Sequence, residues 1–399
     1  MLSSSFRYCQ ARSLHNVVIV SAVRTPTASF GKSLAKFKAT ELGGFAIKGA
    51  IERAGIKPDQ VEEVYMGNVV SSGVGQAPAR QATLFAGCPE STEATTINKV
   101  CASGLKAVML ATQNLQTGSR DVMVAGGMES MSNVPFYFPR NAAYGHQMAK
   151  DGIIHDGLWD PYNNLHMGSC AEGTAKEYGI TREQQDEHAI TSYKRSAAAV
   201  KNGLFKNEIV PITIKGRKGD VIFSEDEEYK NVDFSKVPNL RPAFEKNGTI
   251  TAANASTLND GASALVLMTE SKAKELGLKP LARILSYADA ATSPKNFAIA
   301  PSLAIPKALE KAGLEIKDID LFEINEAFST VIRANEKILG LDPSKVNVAG
   351  GGVSLGHPIG SSGSRILVSL VHLLKPSQKG LAAICNGGGA ASSVVIERL

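Results

Sequence analysis

Residues 98–127 begin with Asn98-Lys-Val-Cys-Ala-Ser-Gly, continue in a helical pattern and end in Asp121-Val-Met-Val-Ala-Gly-Gly. A second run has the same order, from Gly356-His-Pro-Ile-Gly-Ser-Ser-Gly through a helical pattern to Gly380-Leu-Ala-Ala-Ile-Cys-Asn-Gly-Gly-Gly. Each run contains a reactive residue, a glycine, a helix, a short strand and a glycine cluster. This repetition predicts two similar α/β halves whose equivalent loops meet at a pseudo-twofold interface, where ligand clefts are common.

Outside these runs, short apolar stretches alternate with helical patterns. Val17–Val23 and Val61–Met66 are predicted strands, and Glu41–Ala54 and Ala77–Ala86 are predicted helices that a glycine ends. Such alternation is typical of a parallel sheet with crossover helices. The pattern returns after Thr249, where further strands and helices are predicted at residues 262–269, 321–324, 326–339 and 365–374.

The stretch between these parts is more polar. There Thr181 is followed three positions later by Gln184, which fits a capping box at the start of a helix. We therefore expect a leader at 1–15, an N-terminal half formed by 16–134 with 249–279, an inserted loop domain at 135–248, and a C-terminal half at 280–399.

The composition excludes several classes of protein. Of 399 residues, 43% are hydrophobic and 20% charged, which is typical of a folded globular chain and not of a disordered one. No apolar stretch is long enough to span a membrane. The net charge of +5 is small, and no basic cluster with interleaved aromatics indicates nucleic-acid binding. The five cysteines include no C-x-x-C pair, so we expect free thiols in a reducing compartment rather than disulfides or a zinc site.

The first 15 residues resemble a targeting signal. They contain Arg7, Arg12 and three consecutive serines, and no acidic residue occurs before Glu41. An Arg- and Ser-rich leader without acids is the composition of a mitochondrial transit peptide. We therefore predict the mitochondrial matrix as the location, although an uninformative tail would have a similar composition.

Four residues in the glycine-rich segments are candidates for chemistry. Cys101 lies where a strand turns into a helix, and the helix dipole and exposed N–H groups there favour a thiolate and would bind an oxyanion. His357 lies in a glycine-rich run and could accept the proton of Cys101. Cys385 could be a general acid or base. Asn325 could position a water or a carbonyl oxygen. Taken singly, the cysteines and His357 could equally be packed core residues, and Asn325 could be a helix N-cap.

Together, the segments Asn98-Lys-Val-Cys-Ala-Ser-Gly, Asn325-Glu-Ala-Phe, Gly356-His-Pro-Ile-Gly and Cys385-Asn-Gly-Gly-Gly resemble the active-site motifs of thiolases, in that family's order. The resemblance implies two α/β halves packed in α-β-α-β-α layers with an inserted loop domain. It implies that Cys101 carries the acyl group and that His357 activates it. Cys385 would exchange a proton with the reacting carbon, and the N–H groups of Cys101 and Gly387 would form an oxyanion hole.

The resemblance is closest to the branch that cleaves acetoacetyl-CoA to acetyl-CoA reversibly. It implies a homotetramer, acyl-CoA substrates and no nucleic-acid or membrane partner. The implied coenzyme A and acyl-pocket positions are His166, Met167, Tyr193, Asn231, Val232, Asp233, Lys236 and Ser256. The implied potassium ligands are Tyr193 and the carbonyls of Ala252, Ala253, Ala255 and Val353.

Two other functions share parts of this pattern. A decarboxylating condensing enzyme of the acyl-carrier-protein type has the same fold but needs no second catalytic cysteine, which Cys385 argues against. A non-catalytic acyl-CoA-binding scaffold would have no need to keep Cys101, Asn325, His357 and Cys385 together.

Overall fold

The computed structural model describes residues 14–141 and 144–399, so the predicted leader lies almost entirely outside the described residues. Strands and helices alternate in the first part of the chain, as the apolar pattern predicts. They are β1 (Val17–Arg24), β2 (Ala28–Ser29), α1 (Ala39–Ala54), β3 (Glu63–Gly67), α2 (Pro78–Phe85), β4 (Glu93–Ile97), α3 (Ser103–Gln116) and β5 (Val122–Ser130).

The polar middle of the chain consists of short strands and two helices. They are β6 (Phe136–Tyr137), β7 (Lys150–Asp151), β8 (Trp159–Asp160), β9 (Leu165–His166), α4 (Met167–Glu177), α5 (Arg182–Lys201), β10 (Ile212–Ile214) and β11 (Val221–Phe223). The strands form three separate two-stranded ribbons outside the central sheet. The capping box predicted at Thr181 and Gln184 is present at the start of α5, which confirms that helix boundary.

The alternating pattern then resumes to the end of the chain. Its elements are β12 (Asn259–Thr269), α6 (Glu270–Glu275), β13 (Ala282–Ala291), α7 (Pro301–Ala312), β14 (Leu321–Ile324), α8 (Ser329–Leu339), α9 (Gly352–Leu355), α10 (Ser362–Leu373), β15 (Lys379–Asn386) and β16 (Ala390–Arg398). Among the described residues, none of the helices has both the length and the apolar character that crossing a membrane requires.

The central strands follow one order twice, β1-β12-β5-β3-β4 and then β13-β16-β15-β14. In the second set, the position that corresponds to β4 lies next to β14. There a single parallel bridge joins Phe322 of β14 and Val346. The two sets touch where Val18 and Ile19 pair with two residues of β13. This repeated order is the duplication that the two glycine-rich runs predict.

The prediction of a parallel sheet with crossover helices holds for only part of the sheet. Strand β3 is parallel to β4 and β5, and β14 is parallel to β15. However, β12 is antiparallel to β1 and β5, and β16 is antiparallel to β13 and β15. The reason is the connection: β16 follows β15 after a three-residue turn at Gly387–Gly389, and only an antiparallel strand can be reached by so short a turn.

Helices α3 and α10 form the middle layer of the molecule. Apolar residues of both helices pack in one buried cluster with strand residues from both halves, including Leu105, Leu370, Ile19 and Ile284. Helices α1 and α2 cover the other face of the first strand set. Helices α7 and α8 cover the other face of the second set. The result is five layers, α-β-α-β-α.

A buried ion cluster attaches the middle stretch to the first strand. The guanidinium of Arg24, at the end of β1, donates to both carboxylate oxygens of Asp226 at 2.6 and 2.8 Å and to Glu208 at 2.5 Å. All three side chains are at most 1% exposed. Since the two carboxylates are out of water, they depend on the Arg24 guanidinium, the cation that hydrogen-bonds to both, for compensation.

We expect Arg24→Ala to lower the free energy of unfolding by about 3–5 kcal/mol, because it leaves two buried carboxylates without their cation. Urea denaturation followed by circular dichroism measures the change. The matched control is Lys48→Ala, since Lys48 forms an exposed pair with Glu52 at 3.9 Å and its loss should cost below about 0.5 kcal/mol. Equal urea midpoints for the two variants would contradict the prediction.

Candidate active site

The two halves and the middle stretch together enclose a cavity of about 600 Å³. Cys101, His357 and Gly387 line it, as the two glycine-rich runs predict. Its remaining wall is largely apolar and includes side chains from the middle stretch, among them Met167 and Phe244. A cavity of this kind binds a small apolar group and directs it toward a few polar atoms.

Cys101 lies on a strained turn just before α3. The preceding residue, Val100, has φ 48°, a conformation that a β-branched side chain rarely adopts. Side chains on both sides hold the turn: Asn98 Oδ1 accepts from the N–H of Val100 at 3.0 Å, and Ser103 Oγ accepts from the N–H of Lys99 and donates to the Val100 carbonyl. Strain held in this way is typical of functional sites.

The N–H groups beside Cys101 favour its thiolate, as predicted, but burial has the larger and opposite effect in the protein without substrate. Burial raises the pKa of the Cys101 thiol to about 12. The N–H groups of Gly387 and of Cys101 itself lower it, but they offset only part of the burial. Glu129 raises it further. Desolvation therefore outweighs the helix terminus, and Cys101 holds its proton until a base takes it.

The hydrogen bonds of His357 indicate which ring nitrogen carries the proton. The hydroxyl of Ser362 donates to the Pro358 carbonyl at 3.0 Å, so its oxygen accepts from Nδ1–H of His357 at 2.5 Å. Nε2 then carries the lone pair, and it is buried with no hydrogen-bond partner among the described residues. Burial, with Arg365 nearby, lowers the pKa of His357 to about 3, so the ring is neutral. A neutral ring with a free Nε2 can accept a proton.

Cys385 is the penultimate residue of β15, outside the lining of the cavity, and it is fully buried. Its pKa is raised well above the usual thiol value by burial first and then by Cys101 nearby. The two thiols therefore compete: a negative charge on one disfavours a negative charge on the other. Such a pair can pass a proton while only one member is ionised.

Asn325 directly follows β14 and is fully buried. The helix predicted to begin at Glu326 begins at Ser329, with Phe328 in the N-cap position, so the alternative of Asn325 as an N-cap is excluded. Both polar atoms of its amide lack a hydrogen-bond partner within the described chain. A buried amide with all its bonds unmade is unusual in a folded protein, and it is suited to bind a water or a carbonyl oxygen.

The positions expected near coenzyme A divide into two groups. His166, Met167 and Ser256 line the cavity. The others lie outside its lining: Tyr193, Asn231, Val232, Asp233 and Lys236. In that outer group Lys236 is exposed and pairs with Asp233 at 3.1 Å, and the Asn231 amide is engaged by Ser29 and Glu228.

Two residues that the sequence analysis did not single out shape the site. Ser362 fixes the tautomer of His357, and its position in the same glycine-rich run was the available signal. Phe244 stacks on the His166 ring with centroids 4.8 Å apart. Nothing in the sequence pattern distinguishes Phe244 from an ordinary loop aromatic.

Two of the five expected potassium donors lie close to each other. Tyr193 and Val353 pack in one buried cluster. The pKa of Tyr193 is raised far above its usual value by burial first, and then by the carboxylates of Glu228 and Glu326. Within the described part of the chain, no hydrogen bond is donated to the carbonyls of three alanines, Ala252, Ala253 and Ala255. Unengaged carbonyl oxygens are the kind of ligand that suits a hard monovalent cation. The described residues hold no group of three or more His, Cys, Asp or Glu side chains that could bind a metal ion.

The nucleophile turn, the free imidazole nitrogen and the second thiol define a class of enzyme that carries an acyl group on cysteine. The comparison with family descriptions agrees: "Thiolase, N-terminal domain" matches residues 17–271, and "Thiolase, C-terminal domain" matches residues 278–398. The chain belongs to the thiolase family, and the predicted fold class is confirmed.

Individual relatives are similar over nearly the whole chain. Acetyl-CoA acetyltransferase, mitochondrial, of Bos taurus is 60% identical over 98% of this chain and 94% of its own length. Acetyl-CoA acetyltransferase of Yarrowia lipolytica is 57% identical over 97% of both chains. A thiolase from Ascaris suum, solved in complex with coenzyme A, superposes with a TM-score of 0.94 at 49% identity, covering 96% of this chain and all of that one.

We expect Ser362→Ala to lower kcat about 10- to 100-fold while KM changes little, because the His357 ring loses the bond that leaves Nε2 unprotonated. Steady-state thiolysis of acetoacetyl-CoA measures both constants. Ser271→Ala is the matched control, since the Ser271 hydroxyl bonds to Thr269 in a surface segment. Unchanged kcat in Ser362→Ala would refute the tautomer assignment.

Proposed function

We propose that this chain is an acetyl-CoA C-acetyltransferase that catalyses the reversible thiolysis of acetoacetyl-CoA to two molecules of acetyl-CoA. The single observation that carries the proposal is the convergence of Cys101, His357 and Gly387 on one largely apolar cavity, with Cys385 close to Cys101. Relatives about 60% identical over nearly the whole chain are named acetyl-CoA acetyltransferases, which supports the same activity.

In the first half-reaction, Nε2 of His357 takes the proton of Cys101, and the sulfur attacks the ketone carbon of acetoacetyl-CoA. The N–H groups of Cys101 and Gly387 stabilise the oxyanion, since both already point at the sulfur. The carbon–carbon bond then breaks. Its electron pair goes to the carbon next to the thioester, and this carbon takes the proton of Cys385, so that acetyl-CoA leaves and acetyl-Cys101 remains.

Protonated His357 stabilises the thioester oxygen while the carbanion exists, together with a water bound by Asn325. Both groups suit this role because neither has a competing partner within the described chain. In the second half-reaction, coenzyme A loses its thiol proton to Cys385 and attacks the acetyl carbon. The second acetyl-CoA leaves, and His357 returns its proton to Cys101.

We expect the two cysteine variants to fail at different steps. Cys101→Ala should lose acetyl labelling and thiolysis together, because the acyl carrier is gone. Cys385→Ala should still accept a labelled acetyl group from acetyl-CoA on Cys101, but should form no carbon–carbon bond. Mass spectrometry of the intact protein measures the label, and acetoacetyl-CoA absorbance measures the bond. Full turnover by either variant would refute the proposal.

The first assay compares acetoacetyl-CoA with 2-methylacetoacetyl-CoA as substrates in thiolysis. Activity on the first substrate supports the proposed reaction, and activity on the second extends it to branched acyl groups. If the wild-type protein cleaves neither and instead consumes a malonyl thioester, the decarboxylating alternative replaces it. If it only binds acyl-CoA, the scaffold alternative does.

We further propose that potassium is held by Tyr193 and by the carbonyls of Ala252, Ala253, Ala255 and Val353. The unengaged alanine carbonyls and the two carboxylates that face Tyr193 support this assignment. When bound, the ion would supply a fixed positive charge that orders the segment 251–256. That segment contributes Ala252, Ala255 and Ser256 to the cavity wall.

We expect thiolysis by the wild type to rise when sodium is replaced by potassium at constant ionic strength, and we expect Tyr193→Phe to lose this response. The phenol oxygen is the ligand removed, whereas the ring that packs in the core remains. Tyr229→Phe is the matched control, because Tyr229 lies in the same cluster and its hydroxyl bonds to Glu225. An equal potassium response in wild type and Tyr193→Phe would contradict the site.

The remaining assignments rest on the resemblance and on the relatives. We propose the mitochondrial matrix as the location, since several relatives are named mitochondrial. We propose a homotetramer, coenzyme A contacts at Asn231, Val232, Asp233 and Lys236, and the four-segment division of the chain. Fractionation tests the location, light scattering tests the oligomeric state, and substitution of Lys236 tests the coenzyme A contacts.

A further inference from the structure

The carboxylate of Glu129, at the end of β5, lies behind the cavity wall and takes no part in the reaction steps above. It is 1% exposed. Its oxygen Oε1 accepts from Asn68 Nδ2 at 2.8 Å and from Val70 N–H at 3.3 Å. Oε2 accepts from Val69 N–H at 3.0 Å and from Gly360 N–H at 2.9 Å. Four donors occupy the acceptor capacity of one carboxylate.

These donors come from two separate segments of the active site. Residues 68–70 follow β3, and Gly360 belongs to the run that carries His357. Val69, Val70 and Ile359 pack in one apolar cluster, and Cys101 contacts that cluster from the cavity side. Glu129 therefore connects residues 68–70, beside Cys101, with the segment of His357 through hydrogen bonds. The same two segments also touch through apolar side chains.

We propose that Glu129 is a positioning residue for acyl transfer, which holds the segment of His357 against the wall beside Cys101 and places a negative charge behind the Cys101 thiol. This inference rests on the proposed function of Cys101 and His357. A neutral amide cannot replace the carboxylate, because its NH₂ group would face two of the four donors and leave them unpaired.

The charged and titratable groups near Glu129 determine the effect of removing its negative charge. Asp260, itself bonded to Ser132, is the carboxylate that faces it. Burial raises the pKa of Glu129 to about 7, and the backbone N–H donors oppose this rise. On its other side the charge raises the pKa of Cys101, which Cys385 and His357 also adjoin. Removing the charge should therefore let Cys101 ionise at lower pH.

The test measures the rate of Cys101 alkylation by iodoacetamide against pH, by mass spectrometry, alongside thiolysis of acetoacetyl-CoA at pH 8. In Glu129→Gln the alkylation midpoint should fall, because a like charge near the thiol has been removed. Its kcat should fall about tenfold or more, because the base's segment is loosened, while KM for coenzyme A changes less than about twofold.

Glu129→Asp keeps the charge but shortens the reach, so kcat should fall while the alkylation midpoint stays at the wild-type value. The matched control is Glu62→Gln at the opposite end of β5, where the Glu62 carboxylate accepts from the N–H groups of Asp121 and Val122. This control should change neither quantity.

A folded Glu129→Gln protein with the wild-type midpoint overturns the proposal, even if its kcat falls, because that result describes a purely structural residue. If Glu129→Gln does not fold, Glu129→Asp decides, and wild-type kcat in that variant overturns the proposal. A wild-type protein without thiolysis instead overturns the proposed function, whereas the alkylation midpoints still test the charge on Cys101.

Discussion

The close approach of α3 and α10 is the constraint on which the site depends. A Cβ on Gly104 would lie 2.5 Å from Ser364 Oγ, and one on Gly363 would lie 2.6 Å from the backbone nitrogen of Leu105. The two central helices therefore touch backbone to backbone near their N-terminal ends. Cys101 precedes one of these ends and His357 the other. Without this contact, the acyl carrier and its base would belong to two separate halves of the molecule.

Because the site is buried, its charge depends on which of the three reactive groups carry protons. Desolvation raises the pKa of both thiols and lowers that of His357, so in the absence of substrate all three groups are neutral. Charge appears only as a proton moves from sulfur to nitrogen. The N–H groups of Gly387 and Cys101, already directed at the sulfur, then stabilise the charge where it develops. A buried site that is neutral at rest and has fixed donors stabilises charge in the transition state more than in the free enzyme.

The sequence pattern predicted much of the architecture and the candidate reactive residues. It did not predict the contacts that hold those residues in place. Strand β14 and the C-terminal end of α1 have their predicted positions, because apolar periodicity and a terminal glycine are local signals. The parallel sheet that the alternation predicts does not include β12 and β16, which are antiparallel to their neighbours, because strand direction depends on what connects the strands. The helix expected at Glu326 begins three residues later, since Glu326 is used in buried bonds to Ser192, Asn347 and the Val353 N–H.

Because only local patterns can be seen in the sequence, it could reveal some of the site residues and not others. Cys101, His357 and Cys385 stand out because glycine-rich segments surround them, and glycines mark places where backbone must approach closely. Ser362 and Phe244 act through partners that only the folded chain brings within reach. The middle stretch shows the difference most clearly. Its sequence resembles a polar insertion, yet Met167 and Phe244 form part of the apolar wall. The duplicated halves thus carry Cys101, His357 and Cys385, and the insertion contributes part of the cavity wall that faces them.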